Sequence, residues 1–515
     1  MSGFEPMKNA DRKKAGKDLY RQLRQLSWEQ LWTDEAPRFN QAPPPERIER
    51  VALVRAVGVV FSESGNPAQK DEVKAWFLAL LRDPAEKIRR YAAAALPKIG
   101  AGADEEAKLL ALWQTTPVAR EKKFAARALE KIGGATTLQT LSTEGVFPQM
   151  EQKIKAGIAR AKNPSAVRME GVLSDFAGLR IHLRGRRGLE KIVAGEVAAS
   201  VQTSKKFRID NVSPGLVALT PLAPFSLADI YAWRCFGTVG FVPGRGKTGG
   251  DPASIIASPL ARRTLGCFTT GATRYRINFI DKGRGRGAIR QLAGRVFSLC
   301  PEMLNDGRSV TWTVDIYPGA PDGDVELRPN LTPDPRFYYR RHDVPAASHP
   351  HLAASMARLA GRVENEIIWD PFCGSGLELV ESALLGGLGG IHGTDLSAEA
   401  IAIARDNLAA AHAIAVPTHF DCCDFRDYAQ RSLSAGAVTL ILTNPPMGMR
   451  VPVADLHGLI HDLFAVAARI LPAGGRLVLA NPISMPETPR PFRLHSRQPV
   501  DFGGFECRME KYVKH

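Results

Sequence analysis

The sequence predicts a multidomain chain: an N-terminal α-solenoid, a central α+β module and a C-terminal α/β domain with a doubly wound, mostly parallel sheet. Three observations predict it. A ten-residue pattern recurs 33 positions apart within the first 170 residues. The excess of positive charge lies upstream, net +8 for residues 1–170 and +10 for 171–345 against −3 for 346–515. Finally, apolar strand-like runs alternate with helical patterns through the last third of the chain.

The repeat comes first. Tyr91-Ala-Ala-Ala-Ala-Leu-Pro-Lys-Ile-Gly100 returns as Phe124-Ala-Ala-Arg-Ala-Leu-Glu-Lys-Ile-Gly133, each copy following a turn, at Asp83-Pro84 and at Thr116-Pro117. Weaker copies begin near Val51 and Glu151. Helix pairs of this length bury one another's apolar faces when stacked, so residues 46–170 resemble HEAT repeats. The resemblance implies a surface for a protein partner, and an ordinary helical bundle with a duplicated segment is the competing reading. Residues 1–45, charged and ending in Pro43-Pro44-Pro45, look partly disordered or linker-like.

The central module, residues 171–345, carries the densest basic clusters. Arg274, Arg276, Lys282, Arg284, Arg286 and Arg290 surround glycines 283, 285 and 287, and Arg336, Arg340 and Arg341 bracket Phe337, Tyr338 and Tyr339. Arginines neutralise phosphates and aromatic rings stack on bases, so both clusters are candidate RNA contacts. A solvated basic face beside core aromatics is the alternative.

In residues 346–515 an apolar run ends at Asp370, and a glycine turn, Pro371-Phe372-Cys373-Gly374-Ser375-Gly376, leads into the helical stretch Leu377 to Leu385. Glycine lets the backbone pass close to a ligand because no Cβ intervenes. The next strand ends at Asp395, 19 residues beyond Gly376, where a carboxylate can accept from both ribose hydroxyls. This turn has neither the spaced glycines of a dinucleotide fold nor the Gly-Lys-Ser/Thr of a phosphate loop. The order fits S-adenosylmethionine better than a nucleoside triphosphate.

The strand-type run Ala437 to Leu442 delivers Thr443, Asn444, Pro445 and Pro446 at its carboxyl end, where open α/β sheets bind ligands. Prolines stiffen a loop and leave its carbonyls unpaired. An exocyclic base amine is a poor nucleophile because its lone pair is delocalised into the ring. The Asn444 oxygen and the Pro445 carbonyl can accept both amine hydrogens, localising that lone pair toward an electrophilic methyl group. Asp455 to Leu471 reads as an amphipathic helix, Arg476 to Ala480 as a buried strand, and Phe505 to Val513 as a final antiparallel strand.

Asp370 to Gly376 and Asn444 to Arg450 resemble the motifs of class I methyltransferases, and more narrowly of the THUMP-associated RNA guanine-N2 methyltransferases. The resemblance implies a Rossmann-like catalytic domain that holds S-adenosylmethionine through Asp370, Pro371, Phe372, Gly374, Gly376, Asp395 and Leu396. Asp424 and Phe425 would meet the adenine, and Ser348 and His349 lie in a stretch that sits beside the cofactor in that family. It also implies a catalytic loop of Asn444, Pro445, Pro446 and Met447, although the family carries an aromatic residue where this chain has Met447. Upstream, Leu183 to Val193 resembles the opening of the family's THUMP-like RNA-binding module.

The reading is therefore an enzyme that methylates an exocyclic base nitrogen in RNA, N2 of guanine in tRNA or rRNA foremost. N6 of adenine in RNA or DNA, a protein glutamine amide, and a catalytically silent RNA-binding scaffold are the alternatives. No metal is expected: His457 and His461 have helical spacing but no third ligand. Seven cysteines without a Cys-x-x-Cys pair suggest a reduced, cytoplasmic protein. No membrane-spanning stretch is seen in the sequence.

Overall fold

In the computed structural model the chain divides into two compact units, residues 1–164 and 165–515. The structure describes residues 9–515 except 101, 145–147, 163, 245–250, 281–284, 308–309, 318–324, 345–346, 412–415, 449–452, 486 and 504–505.

The first unit is helical throughout. Helices already run through the segment read as linker-like, from Asn9–Leu23 to Pro44–Glu49. The two copies of the repeat lie on helices Glu86–Ile99 and Ala119–Ile132, which pack against each other. Their small residues serve close approach: a Cβ on Gly58 of helix Ala52–Ser64 would stand 2.8 Å from the Cβ of Ala95. The expected solenoid is not found. Short segments of three to six residues between Trp28 and Glu49 break the helix-pair pattern, and side chains from Leu23 to Ile154 share one core. The recurring sequence marks two neighbouring helices that bury the same kind of face, not a unit repeated along the chain.

The second unit holds two large sheets. The upstream one has eight strands in the order Phe207–Ser213, Leu216–Pro221, Arg180–Arg184, Thr238–Val242, Val325–Pro329, Trp312–Ile316, Arg274–Phe279 and Leu304–Asn305. It is mixed: the last two pairings are parallel and the others antiparallel.

The downstream sheet positions the site. Its strands are β1 (Glu366–Asp370), β2 (Leu388–Asp395), β3 (Thr418–Cys422), β4 (Leu440–Thr443), β5 (Arg476–Asn481), β6 (Phe492–Asp501) and β7 (Glu506–Lys514). The order is β3-β2-β1-β4-β5-β7-β6, with β1 to β5 parallel and β7 antiparallel to both neighbours. Helices α1 (Pro350–Ala360), α2 (Leu377–Leu385), α3 (Ala398–Ala410), α4 (Phe425–Arg431) and α5 (Leu456–Ile470) cover it. Because strand side chains alternate, Ile368, Leu440, Leu442 and Val478 enter one core while Trp369, Ile441, Leu477 and Leu479 enter another. Burial on both faces explains the nearly continuous apolar runs of the sequence. The strand order reverses between β1 and β4, the crevice in which sheets of this kind hold ligands. Edge strand β6 was not foreseen, since its burial alternates and its polar residues read as loop.

None of the described helices is long and apolar enough to cross a membrane.

Candidate active site

The carboxyl end of β1 is built around a buried acid. Asp370 is fully buried; its Oδ1 accepts from the Thr443 hydroxyl at 2.6 Å and from the Phe372 amide at 3.0 Å, tying β1 to β4. Its Oδ2 is buried without a hydrogen-bond partner among the described residues. The two glycines after it do different work. Gly374, at φ +49°, donates its amide at 3.0 Å to Asp395, whose other oxygen accepts from the Ser397 amide at 2.9 Å. Gly376, at φ +78°, is the N-cap of α2, and a Cβ there would stand 3.0 Å from that of Ala404 on α3. It is needed for a left-handed turn and for helix packing rather than for ligand approach.

A polar chain crosses from this turn to the Asn-Pro-Pro loop. The Asn444 amide nitrogen donates at 2.7 Å to the Ser348 hydroxyl, which in turn donates to the Glu378 carboxylate. Since the Asn444 NH2 faces Ser348, its oxygen is the end left over, and this Oδ1 is buried with no partner among the described residues. An unpaired buried acceptor costs free energy until a donor meets it. A donor with N–H groups, such as a base amine, fits that vacancy.

Around these groups lies a cavity of about 720 Å³, within the ~300–1,000 Å³ of small-molecule sites. Of the expected site residues, Ser348, His349, Pro371, Phe372, Gly374, Asp395, Leu396, Asp424, Phe425, Asn444, Pro445, Pro446 and Met447 line it. Asp370 and Gly376 lie behind the wall and shape it. Leu396 is 76% exposed, an apolar side chain in the cavity rim that a flat ring would cover. Asp424 caps α4 and accepts from the Arg426 guanidinium, which holds its carboxyl below the usual range. An adenine amine placed there would have to share this carboxylate with Arg426. The residues thus fit S-adenosylmethionine: a carboxylate and a glycine turn for the ribose and amino-acid portions, and apolar walls at Leu396 and Phe425 for the base.

Among the lining residues that sequence reasoning missed are Glu378, Arg186 and Phe502. Burial pushes the Glu378 carboxyl upward, against the lowering effect of its Ser348 hydrogen bond, and burial with the neighbouring Glu378 charge pushes the Asp370 carboxyl well above its usual value. A carboxyl whose folded pKa is raised contributes full stability below its unfolded pKa and loses it as pH rises through the folded value. Glu378→Gln, which mimics the protonated form, is therefore expected to raise the melting temperature of the ligand-free chain at pH 8. At pH 4 it should change little. Thermal melts at the two pH values check this, and an equal effect at both would refute the assignment.

The candidate RNA contacts are scattered. Arg274 is 3% exposed, buried in its strand, and offers no surface; Tyr339 is fully buried, with its hydroxyl donating to Glu381. Arg336 is also buried, with its guanidinium 3.9 Å over the Phe236 ring. Strand alternation and ring packing take these inward, whatever the local charge. Arg276 is exposed, with its Nε donating to Thr313 at 3.0 Å. Arg286 and Arg290 line a shallow groove with Phe297, which is 53% exposed. Arg340, Arg341 and Tyr338 are exposed, and Arg340 pairs with Asp343. Arg284 lies outside the described residues.

Residues 338–488 match the family described as UPF0020, RMKL-like, methyltransferase domain. Over 187 residues the chain is 29% identical to tRNA (guanine(10)-N2)-dimethyltransferase of Methanothermobacter thermautotrophicus, covering 35% of this chain and 49% of that relative. The match thus spans about half the length of the curated relative. Among solved structures, TrmN from Thermus thermophilus is similar in fold, with TM-score 0.50, 21% identity, and 65% of this chain and 100% of that chain covered. A predicted N6-adenine-specific DNA methylase from Listeria monocytogenes aligns with TM-score 0.46 and 17% identity, covering 65% of this chain and 96% of that one.

Proposed function

Starting from a methyltransferase domain of the RMKL-like type at residues 338–488, we propose that this chain methylates an exocyclic amino nitrogen of a base in RNA, N2 of guanine in tRNA or rRNA foremost. The observation that carries the proposal is the Asn444 oxygen, buried on the cavity wall without a partner among the described residues while Ser348 fixes the amide nitrogen.

S-adenosylmethionine is the cofactor; it supplies an electrophilic methyl carbon on a sulfonium. Asp395 and the Gly374 turn would hold its ribose and amino-acid portions, with Leu396 and Phe425 against its adenine. Asn444 and the Pro445 carbonyl accept the two hydrogens of the target amine and aim its lone pair at the methyl carbon. When bound, the cofactor would supply that methyl carbon with its sulfur as the leaving group. The amine proton leaves after attack, so no base need act first. A stacked base cannot bring its amine to Asn444, so the target nucleotide is unpaired or flipped out.

The guanine-N2 activity named for the Methanothermobacter relative supports guanine N2 over adenine N6. RNA as partner is supported by the exposed Arg286, Arg290, Arg340 and Arg341, with residues 171–345 serving as its THUMP-like grip. Incubating the purified chain with tritiated S-adenosylmethionine and tRNA, rRNA or DNA from a host lacking the gene tests this. Label in N2-methylguanosine of one RNA pool is the expected result. Label in N6-methyladenosine or in DNA would overturn the substrate assignment, and no label together with no cofactor binding would overturn the enzyme.

A further inference from the structure

A base presented to Asn444 needs a surface for its ring, and the loop itself offers only two prolines and Met447. Three phenylalanines line the cavity. Phe372 and Phe425 pack on each other, centroids 5.0 Å apart. Phe502, in the turn after β6, is the third. It is only partly buried and packs against the same apolar cluster as Met447.

Phe502 is held by the upstream module. The guanidinium of Arg186 lies 5.9 Å from its ring centroid, and Arg186 Nη1 donates at 2.8 Å to the Asp501 carbonyl. Two residues on, Gly188 has φ +96°, and a Cβ there would stand 1.9 Å from the Pro499 carbonyl oxygen. The Asp501 amide donates back to the Arg187 carbonyl at 3.2 Å. The loop of residues 185–188 is therefore seated on the end of β6, with a cation fixed beside an aromatic face at the cavity.

We propose that Phe502 is the stacking surface for the target base and that Arg186 meets the phosphate of the same nucleotide. This deepens the proposed RNA methylation and rests on it. A ring with a guanidinium over one face, the other left for a base, matches the two parts of a nucleotide that carry no base identity, so the pair grips whichever nucleotide is flipped while Asn444 tests for an amine.

Steady-state methylation of the responsive RNA pool by the full chain, with cofactor affinity and melting temperature measured in parallel, tests the pair. Phe502→Ala should lower kcat/KM for RNA by about tenfold to a hundredfold, the scale of one base stack. S-adenosylmethionine binding should stay unchanged. Phe502→Trp should restore most of the loss, as should Met447→Tyr placed in the Phe502→Ala background. Arg186→Ala should reduce the salt slope of RNA binding by about one phosphate contact, roughly 0.7 for an unpaired strand. If the parent chain methylates RNA and Phe502→Ala leaves kcat/KM unchanged, the inference is overturned while the proposed function stands. Equal losses for Ala and Trp with a lowered melting temperature would make Phe502 a packing residue only, and would overturn it too. A parent chain that transfers no methyl group to RNA overturns both.

Discussion

Asn444→Ala is expected to slow methyl transfer by about 10²–10³ while leaving cofactor and RNA affinity nearly unchanged. The side chain has two ends with separate jobs. Its NH2 is fixed by Ser348, itself fixed by Glu378, so the oxygen is aimed before any substrate arrives. Preorganised polar groups of this kind are worth about 10²–10³ in kcat when removed singly. The affinities should survive because the groups expected to hold the cofactor, around Asp395, and the arginines proposed to hold RNA lie elsewhere. Single-turnover rates with saturating cofactor and RNA provide the measurement. A rate within tenfold of the parent would remove Asn444 from the mechanism. Asn444→Asp is the informative companion: it keeps an acceptor but places a carboxylate opposite the Ser348 hydroxyl, and should fall between the two.

Glu381→Ala is expected to destabilise residues 165–515 by about 3–5 kcal/mol, the cost of removing one partner of a buried ion pair. Glu381 on α2 is 2% exposed and accepts from Arg234 Nε at 2.7 Å and Nη2 at 2.8 Å, with the Tyr339 hydroxyl on the same carboxylate. Arg234 comes from the upstream module, so the pair joins the two sheets. Its backbone amide donates at 2.9 Å to Glu196, which also receives Arg358 of α1 at 3.0 Å. Removing Glu381 leaves a guanidinium held among the Phe337 and Tyr339 rings without its anion. Urea unfolding monitored by intrinsic fluorescence reports the change. Arg234→Met combined with Glu381→Leu should recover much of it, because an apolar pair strands no charge.

The parts of the site that could be read from the sequence are those where one residue type dictates local geometry. Glycines and prolines announced the two loops, and the apolar runs before them gave β1 and β4. The register of acids after strands gave Asp395 and Asp424. Glu378 was invisible for the opposite reason: a glutamate in the first turn of a helix reads as an ordinary solvated residue, and only Ser348, 30 positions upstream, reveals its role. Arg186 and Phe502 are 316 positions apart and meet only because the eight-stranded sheet docks beside β6. Charge counting likewise failed at Arg274, since composition is blind to which face of a strand a side chain takes. The repeat misled at a larger scale, because two similar helices are as good a solution for burying alanine-rich faces in a bundle as in a solenoid.

The seat that Gly188 provides on the Pro499 carbonyl has a consequence for target choice. The two sheets of residues 165–515 are joined both there and through Arg234, which sets the module that would grasp RNA against the catalytic pocket. A grip at one place on a folded RNA would then set, by length alone, which nucleotide reaches Asn444. The protein would work as a caliper, choosing its target by distance from a structural landmark and tolerating changes in the sequence that surrounds it.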